Sequence, residues 1–312
     1  MQGKMMGKIA FLFAGQGSQY PGMGRELYEM SAGVQTLFGA AEKIRPGTLA
    51  QMFEGTEEEL KRTDNTQPCL FLADLAAAVA LRENGVSPDA VAGFSLGEIA
   101  AVAEAGILSG EDAFRLVYCR GMLMQKAAEA QSGSMIAVLR MDTAELEALC
   151  AEAGVYPVNY NCPGQVVVSG RTEAVEAVKE ELAKRGVRFV ELAVGGPFHT
   201  PYMESASDSL REFLWKMPLV GPKIPIYANL TAEPYPEEAE LIADTISSQI
   251  SHSVRFEATL RNLEEEGVDT FVECGPGKTL SGFVKRTVPG AKIFGVSDAE
   301  TLRACVNGLR GE

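Results

Sequence analysis

A serine between two glycines carries the strongest chemical signal in the sequence. Residues 93–97 read Gly-Phe-Ser-Leu-Gly and fit the pattern G-x-S-x-G around Ser95. In a nucleophile elbow, small flanking residues allow a strained turn to push the serine hydroxyl into a cleft, and the amides that begin the next helix favour a developing anion. The pattern therefore predicts either acyl chemistry at Ser95 or a tight structural turn.

The chain has two histidines that could accept a proton from such a serine. His199 follows a Gly-Gly-Pro-Phe loop at the boundary between two predicted units, where pockets tend to form. His252 lies in the polar run 247–253, which is typical of a solvated loop. We predict that His199 is the base. Because no Asp or Glu close to it in sequence suggests a triad acid, we expect a backbone carbonyl to orient its ring.

A buried arginine is predicted in the helix that spans residues 112–128. Arg120 falls on the apolar stripe of this helix, three residues after Val117 and four before Met124. Desolvating an isolated guanidinium costs many kcal/mol, so a carboxylate must meet it. That carboxylate belongs either to an internal Asp or Glu or to a substrate that the guanidinium binds with two parallel hydrogen bonds.

Two glycine-rich turns resemble nucleotide-binding loops but lack a required glycine. After Gly15-Gln16-Gly17, Tyr20 stands where a dinucleotide-binding motif needs its third glycine. Residues 277–279 resemble the end of a phosphate-binding loop, but Val272 occupies the position of its first glycine. The first turn still offers free amides at the carboxyl end of a core strand, where open α/β sheets bind ligands. The alternative is that this glycine-rich turn has only a structural role and binds no ligand.

The composition excludes several classes of protein. With 312 residues, 46% of them hydrophobic and 22% charged, the chain is long enough for one large or two unequal globular domains. A net charge of −14 without a basic block argues against nucleic acid as a partner. The early apolar run 9–14 is too short to span a membrane, and no A-x-A cleavage site follows it, so we expect no membrane partner and a cytoplasmic location. Six cysteines without a C-x-x-C pair indicate neither a disulfide framework nor a zinc site.

Short apolar strands alternate with helical stretches over most of the chain. Strands are predicted at 8–13 and within 86–94, and helices at 69–83 and 96–105. This alternation predicts an α/β fold with a largely parallel sheet.

Residues 133–195 follow a different order. Strand, helix, strand, strand, helix and strand succeed one another over about 60 residues, which is the ferredoxin-like pattern. We therefore predict two domains, a catalytic domain formed by residues 1–132 and 196–312 and a small inserted domain formed by residues 133–195.

Several of these segments together resemble the malonyl-CoA:acyl-carrier-protein transacylases and the acyltransferase domains of fatty acid and polyketide synthases. The agreement extends in order over nearly the whole chain, and as a set it is far more specific than any single motif. Its motifs are Phe-Ala-Gly-Gln-Gly-Ser-Gln at 13–19, Thr-Gln-Pro at 66–68, Gly-Phe-Ser-Leu-Gly-Glu at 93–98, Arg-Gly at 120–121, the segment 161–165, Pro-Phe-His at 197–199 and Gly-Pro-Gly at 275–277.

The resemblance implies an α/β-hydrolase-like core with a parallel sheet and an inserted ferredoxin-like small domain. It implies that Ser95 is the nucleophile and that His199 is its base. The backbone amides of Gln16 and Leu96 would form the oxyanion hole. The guanidinium of Arg120 would bind the malonyl carboxylate.

The remaining site residues are also expected from the resemblance. Gln67 is similar to a glutamine that lines the cleft of family members, and Phe198 is typical of members that prefer malonyl groups, because its bulk would crowd a 2-methyl substituent. The carbonyl that orients the base is expected at Arg255, where some relatives carry Gln. Family members often have His before the serine; Phe94 stands there in this chain, so any secondary role of that ring is absent.

The reaction that the resemblance implies is ping-pong transfer of a malonyl group from malonyl-CoA, through a malonyl-serine intermediate, to the phosphopantetheine thiol of acyl carrier protein. We expect no cofactor and no metal, and a monomer. The alternatives are a serine esterase or thioesterase that uses the same elbow, and a non-catalytic module that binds acyl carrier protein.

Overall fold

The computed structural model describes residues 7–311, and a parallel five-stranded sheet forms the centre of the larger part of the fold. Its strands are β1 (Lys8–Phe13), β2 (Ala90–Gly93), β7 (Ile226–Tyr227), β8 (Val268–Cys274) and β9 (Lys292–Val296). Their order in the sheet is β7-β2-β1-β8-β9, and each neighbouring pair is parallel.

Helices pack against this sheet, as a buried parallel sheet requires. Two helices of 21 residues, α4 (Thr63–Glu83) and α6 (Gly110–Ala130), contribute many of the fully buried side chains of the main core. The helices of this part are α1 (Arg25–Met30), α2 (Ala32–Ile44), α3 (Thr48–Glu54), α4 (Thr63–Glu83), α5 (Gly97–Glu104), α6 (Gly110–Ala130), α9 (Glu204–Leu214), α10 (Ala239–Gln249), α11 (Phe256–Glu265), α12 (Thr279–Thr287) and α13 (Ala299–Arg310).

A second sheet has four antiparallel strands, β3 (Gly133–Leu139), β4 (Tyr156–Cys162), β5 (Gln165–Arg171) and β6 (Arg188–Glu191), and two helices, α7 (Thr143–Ala153) and α8 (Thr172–Lys184), pack against it. The order of its strands is β4-β5-β3-β6. The sheet and both helices share an apolar cluster of their own. The predicted α/β class and ferredoxin-like order are thus confirmed, whereas the exact domain boundaries stay predictions.

The polar run 247–253 is not the solvated loop that its composition predicts. Ser247 and Gln249 belong to α10 and are buried, as is Ser251, while His252 is exposed. The prediction was wrong because polar side chains can be buried where each finds a partner, and the Ser247 hydroxyl donates to a backbone carbonyl.

Within residues 7–311, no helix combines the length and the apolar character that crossing a bilayer requires.

Candidate active site

Ser95 lies in a strained turn between β2 and α5. Its φ of 52° is in the left-handed region, which residues other than glycine rarely adopt. Asn229 holds the turn: its Oδ1 accepts a hydrogen bond of 2.7 Å from Ser95 N, and its Nδ2 donates one of 2.6 Å to Gly93 O. The turn is therefore fixed by a residue 134 positions away in the chain.

The two glycines of the motif allow close packing of the backbone around this turn. A Cβ atom on Gly93 would lie 2.0 Å from the backbone carbon of Gly97, and one on Gly97 would lie 2.1 Å from Phe13 O at the end of β1. Neither contact can be relieved by a change of side-chain rotamer, because both atoms belong to the backbone. The pattern G-x-S-x-G is thus a packing requirement for bringing α5 against the sheet.

His199 is buried beside Ser95. Its Nε2 is 2.8 Å from Ser95 Oγ, and its Nδ1 is 2.9 Å from the backbone oxygen of Gln249. A carbonyl can only accept, so Nδ1 carries the proton, and the Nε2 of a neutral ring is free to accept from the serine. Burial, and secondly the charge of Arg120, lowers the pKa of His199 to about 4, which keeps the ring neutral near pH 7.

The prediction that a backbone carbonyl orients His199 is confirmed, but its assignment to Arg255 is wrong. The carbonyl at Nδ1 belongs to Gln249, the last residue of α10. The Arg255 carbonyl instead accepts the amide and the hydroxyl of Thr259 in α11. Arg255 is exposed at the start of that helix, and its carbonyl is used within the first turn.

Arg120 is fully buried, as the helical spacing predicts, but no carboxylate of the described residues lies within ion-pair distance of it. Its Nη1 donates to Gln67 Oε1 at 2.8 Å, and its Nη2 donates to Gln249 Oε1 at 2.8 Å and to Ser95 Oγ at 3.2 Å. Burial lowers the pKa of Arg120 to about 10, which leaves it a cation at pH 7. Neutral amides therefore orient a charge that still lacks a direct counter-ion in this fold.

Gln249 connects all three of these groups, and it is not among the site residues predicted from the sequence. Its Nε2 lies 2.7 Å from Ser95 O, its Oε1 accepts from Arg120, and its backbone oxygen accepts from His199. It lies in the polar run 247–253, whose composition predicts a solvated loop, and nothing in the local sequence distinguishes it from its polar neighbours.

Glu98 is a buried acid about one helical turn after Ser95, and it fixes the positions of Gln249 and Asn229, which contact the Ser95 turn. Its carboxylate accepts hydrogen bonds from Gln249 Nε2 at 2.9 Å, from Asn229 N at 3.2 Å and from the Tyr235 hydroxyl. Burial raises the pKa of Glu98 to about 7, and these hydrogen bonds, together with the charge of Arg120, limit the rise.

A cavity of about 260 Å³ opens onto Ser95 and His199. Gln16 and Phe198 line it, as does Phe94, whose ring packs edge-on against Phe256 at 5.3 Å. The oxyanion-hole candidates differ in position: Gln16 faces the cavity, whereas the Leu96 side chain packs into the core.

The amides of Gln16 and Leu96 are both available to a ligand. Neither amide donates a hydrogen bond to another residue within 7–311. Gln67 is not among the residues that line the cavity; it reaches the site through Arg120. Across the same part of the chain, no group of three or more His, Cys, Asp and Glu side chains is placed to bind a metal ion.

This geometry defines a serine acyl-transfer site. The Ser95 hydroxyl can donate its proton to a neutral imidazole and lies beside a buried cation, so it is suited to attack the carbonyl of an acyl group that carries an anion. A family model described as "Acyl transferase domain" matches residues 10–303. The chain belongs to this acyl transferase family.

Relatives within the family cover almost the whole chain. The malonyl CoA-acyl carrier protein transacylase of Bacillus subtilis is 41% identical over 98% of this chain and 99% of its own. A crystal structure of MCAT from Streptococcus pneumoniae superposes with a TM-score of 0.91 at 38% identity, covering 96% of this chain and 100% of that one. A malonyl-transacylase solved in complex with a type II PKS acyl-carrier protein has a TM-score of 0.92 at 34% identity, covering 98% and 100%.

Proposed function

We propose that this protein transfers the malonyl group of malonyl-CoA to the phosphopantetheine thiol of acyl carrier protein by a ping-pong mechanism. The observation that carries the proposal is the position of one hydroxyl: Ser95 Oγ lies 2.8 Å from a neutral imidazole nitrogen and 3.2 Å from the nitrogen of a buried guanidinium. The names of the relatives from Bacillus subtilis and Staphylococcus aureus support the same substrates.

In the first half-reaction His199 Nε2 takes the proton of Ser95 as Oγ attacks the thioester carbonyl carbon. The carbonyl oxygen becomes an anion, which the amides of Gln16 and Leu96 stabilise; each such donor is worth about 3 kcal/mol. The intermediate then collapses, the carbon–sulfur bond breaks, and His199 returns the proton to the coenzyme A thiolate. In the second half-reaction the carrier thiol attacks the malonyl ester, and the steps run in reverse.

Arg120 selects the acyl group. In the free site its Nη2 bonds to Ser95 Oγ, an oxygen that becomes part of the ester on acylation. The malonyl carboxylate, three carbons from that ester oxygen, then supplies the counter-ion that the buried guanidinium lacks. Gln67 and Gln249 hold the guanidinium in place for it.

Intact-mass measurement tests the reaction directly. After mixing with malonyl-CoA, the wild-type protein is expected to gain one malonyl group that persists until acyl carrier protein removes it. Ser95→Ala should gain none, while Ser209→Ala, which removes an exposed serine of α9, should behave as wild type. Rapid loss of the adduct to water would indicate a hydrolase instead, and no adduct on the wild type would leave only a binding module.

We also propose that the protein works in the cytoplasm. All six cysteines in the described part of the chain are free thiols, which suits a reducing compartment. Cell fractionation with detection of the protein by antibody checks the location. We expect the protein in the cytoplasmic fraction, and its recovery in a membrane or extracytoplasmic fraction would contradict the proposal.

A further inference from the structure

Glu98 is a buried acid that contacts the site but takes no part in the proposed chemistry. Its side chain belongs to a residue that is 1% exposed, and its hydrogen-bond partners, Gln249, Asn229 and Tyr235, all donate to it. Acids are rarely buried without a cation beside them, because the charge must be taken out of water. No Lys or Arg of residues 7–311 lies within ion-pair distance of Glu98.

A single side chain, that of Gln249, joins Glu98 to Arg120. Its Nε2 donates to Glu98 Oε2 at 2.9 Å, and its Oε1 accepts from Arg120 Nη2 at 2.8 Å. The two buried charges therefore lie at opposite ends of one amide group, where they attract each other without forming an ion pair. Arg120 accordingly has an indirect counter-charge inside the protein, but only while Glu98 is ionised.

We propose that Glu98, acting through Gln249 as a positioning residue of Arg120, makes the preference for malonyl over acetyl groups depend on pH. The inference rests on the proposed function, in which Arg120 binds the malonyl carboxylate. An ionised Glu98 competes with that carboxylate for the charge of the guanidinium, whereas a protonated Glu98 does not. By linkage, malonyl binding favours the protonated acid, and protonation favours malonyl binding by the same factor.

The pH range of the effect follows from the surroundings of Glu98. Burial raises its pKa to about 7, against its hydrogen bonds and the charge of Arg120. His199 has a pKa of about 4 and Arg120 has one of about 10, so the imidazole stays neutral and the guanidinium stays charged between about pH 5.5 and 8.5. Glu98 is thus the member of this group that changes its charge in that range.

The other titratable groups packed around α5 do not change the charge beside Glu98. Tyr235 donates to it from the segment after β7, and burial raises the pKa of this hydroxyl well above its usual value, so it stays neutral. The strand β2 carries no titratable side chain, and the lysine of β1 begins that strand, at the opposite end of the sheet. On α4, Arg82 pairs with Glu104 at the far end of α5, and Asp74 lies against the end of β8.

The ratio of kcat/KM for malonyl-CoA to that for acetyl-CoA, measured between about pH 5.5 and 8.5 with acyl carrier protein as acceptor, tests the proposal. Both substrates carry the same coenzyme A, so titration of its phosphates cancels in the ratio, as does any change in the folded fraction or in the reactivity of Ser95. For wild type we expect the ratio to fall about tenfold as the pH rises through 7, which is within the usual range of coupling between two groups in one protein.

Glu98→Gln imitates the protonated acid. A glutamine carbonyl can accept from Gln249 and Asn229 in place of Oε2, and its amide can donate to the Tyr235 oxygen, as a carboxylic acid would. The ratio for this variant should stay near the low-pH value of wild type at every pH. Glu264→Gln makes the same chemical change at an exposed position of α11, and this control should keep the wild-type fall.

Tyr235→Phe should move the titration without removing it. The Tyr235 hydroxyl donates to Glu98 and thereby lowers the pKa of that carboxyl relative to burial alone. Without the hydroxyl, the ratio should fall by a similar factor but at a higher pH. A merely structural role of Glu98 would not move the midpoint of selectivity, and this variant decides the question even if Glu98→Gln does not fold.

Three results would overturn the proposal: a wild-type ratio that does not change with pH, a ratio that still falls in Glu98→Gln, and an unmoved midpoint in Tyr235→Phe. Failure of the proposed function is distinguishable, because wild type would then form no malonyl adduct on Ser95 at any pH.

Discussion

At the scale of single residues, the site contains two buried side chains with different charge states, the neutral imidazole of His199 and the cationic guanidinium of Arg120. His199 is neutral because burial lowers its pKa to about 4, and it therefore can take a proton from Ser95 at neutral pH. Arg120 stays charged, with amide oxygens as its partners, and can therefore pair with an anionic acyl group. In the proposed mechanism the imidazole activates the serine, and the guanidinium selects the acyl group.

Arg120→Ala is expected to reverse the preference from malonyl-CoA toward acetyl-CoA. Breaking a buried ion pair costs about 3–5 kcal/mol, so kcat/KM for malonyl-CoA should fall by a few hundredfold or more, whereas acetyl-CoA has no carboxylate to lose. Competition assays with both substrates measure the preference. Arg115→Ala removes a partly exposed arginine of α6 and should leave the malonyl preference unchanged. An unaltered malonyl preference in Arg120→Ala would remove Arg120 from the carboxylate site.

Phe198→Ser is expected to admit methylmalonyl-CoA. Phe198 is buried, lines the cavity and directly precedes His199, so its ring occupies space that a 2-methyl group would need. The relative turnover of methylmalonyl-CoA and malonyl-CoA by the variant checks this. If that ratio stays at the wild-type value, steric exclusion by Phe198 is not the source of selectivity.

At the scale of elements, the site depends on how closely α5 approaches β1 and β2. The strands end side by side, so the loop after β1 brings Gln16 near the turn after β2 that carries Ser95. Glycine at position 97 makes this approach possible. On the other side, α10 ends where its last carbonyl meets His199.

Gly97→Ala is expected to lower the free energy of unfolding by about 3 kcal/mol or more, because its Cβ would meet a backbone oxygen that cannot move without disturbing the sheet. Gly39→Ala is the matched control: it lies inside α2 with open space around a new Cβ, and it should stabilise the protein by about 1 kcal/mol. Urea unfolding of both variants measures the difference. Equal stabilities for the two would mean that Gly97 is not required by packing.

At the scale of the whole molecule, a buried acid couples the site to pH. In the folded protein the pKa of Glu98 is raised from 4.5 to about 7, through burial opposed by Tyr235, Gln249 and Arg120. Between these two pH values the native state binds more protons than the unfolded state. The stability that this group contributes is therefore full below pH 4.5 and is lost as the pH rises through 7.

Glu98→Gln removes this titration while keeping the size of the side chain. The free energy of unfolding of wild type minus that of the variant is expected to fall by about 3 kcal/mol as the pH rises from 4.5 to 8. His199, whose pKa is lowered, contributes the opposite slope below pH 6.5, but it does so in both proteins, so the difference isolates Glu98. Urea unfolding at several pH values measures it, and a constant difference would contradict the raised pKa.

The amino-acid sequence by itself determined those features that depend on residues close to one another in the chain. The serine between glycines and the arginine on an apolar stripe each arise within a few residues, where chain geometry relates position directly to direction. The order of strands and helices in residues 133–195 follows from a succession of such local patterns. The resemblance to acyltransferases rested on the same local motifs.

Only the tertiary structure decided which distant groups meet. Gln249, Asn229 and Glu98 connect segments more than 130 positions apart, and their polarity in sequence is indistinguishable from that of a solvated surface. The carbonyl that orients His199 belongs to Gln249 and not to Arg255. Sequence could not predict this, because every residue has a backbone oxygen and its availability depends on where a helix ends in the fold. Burial of a polar group is favourable only when its partner is already in place, and that placement is a property of the packed fold.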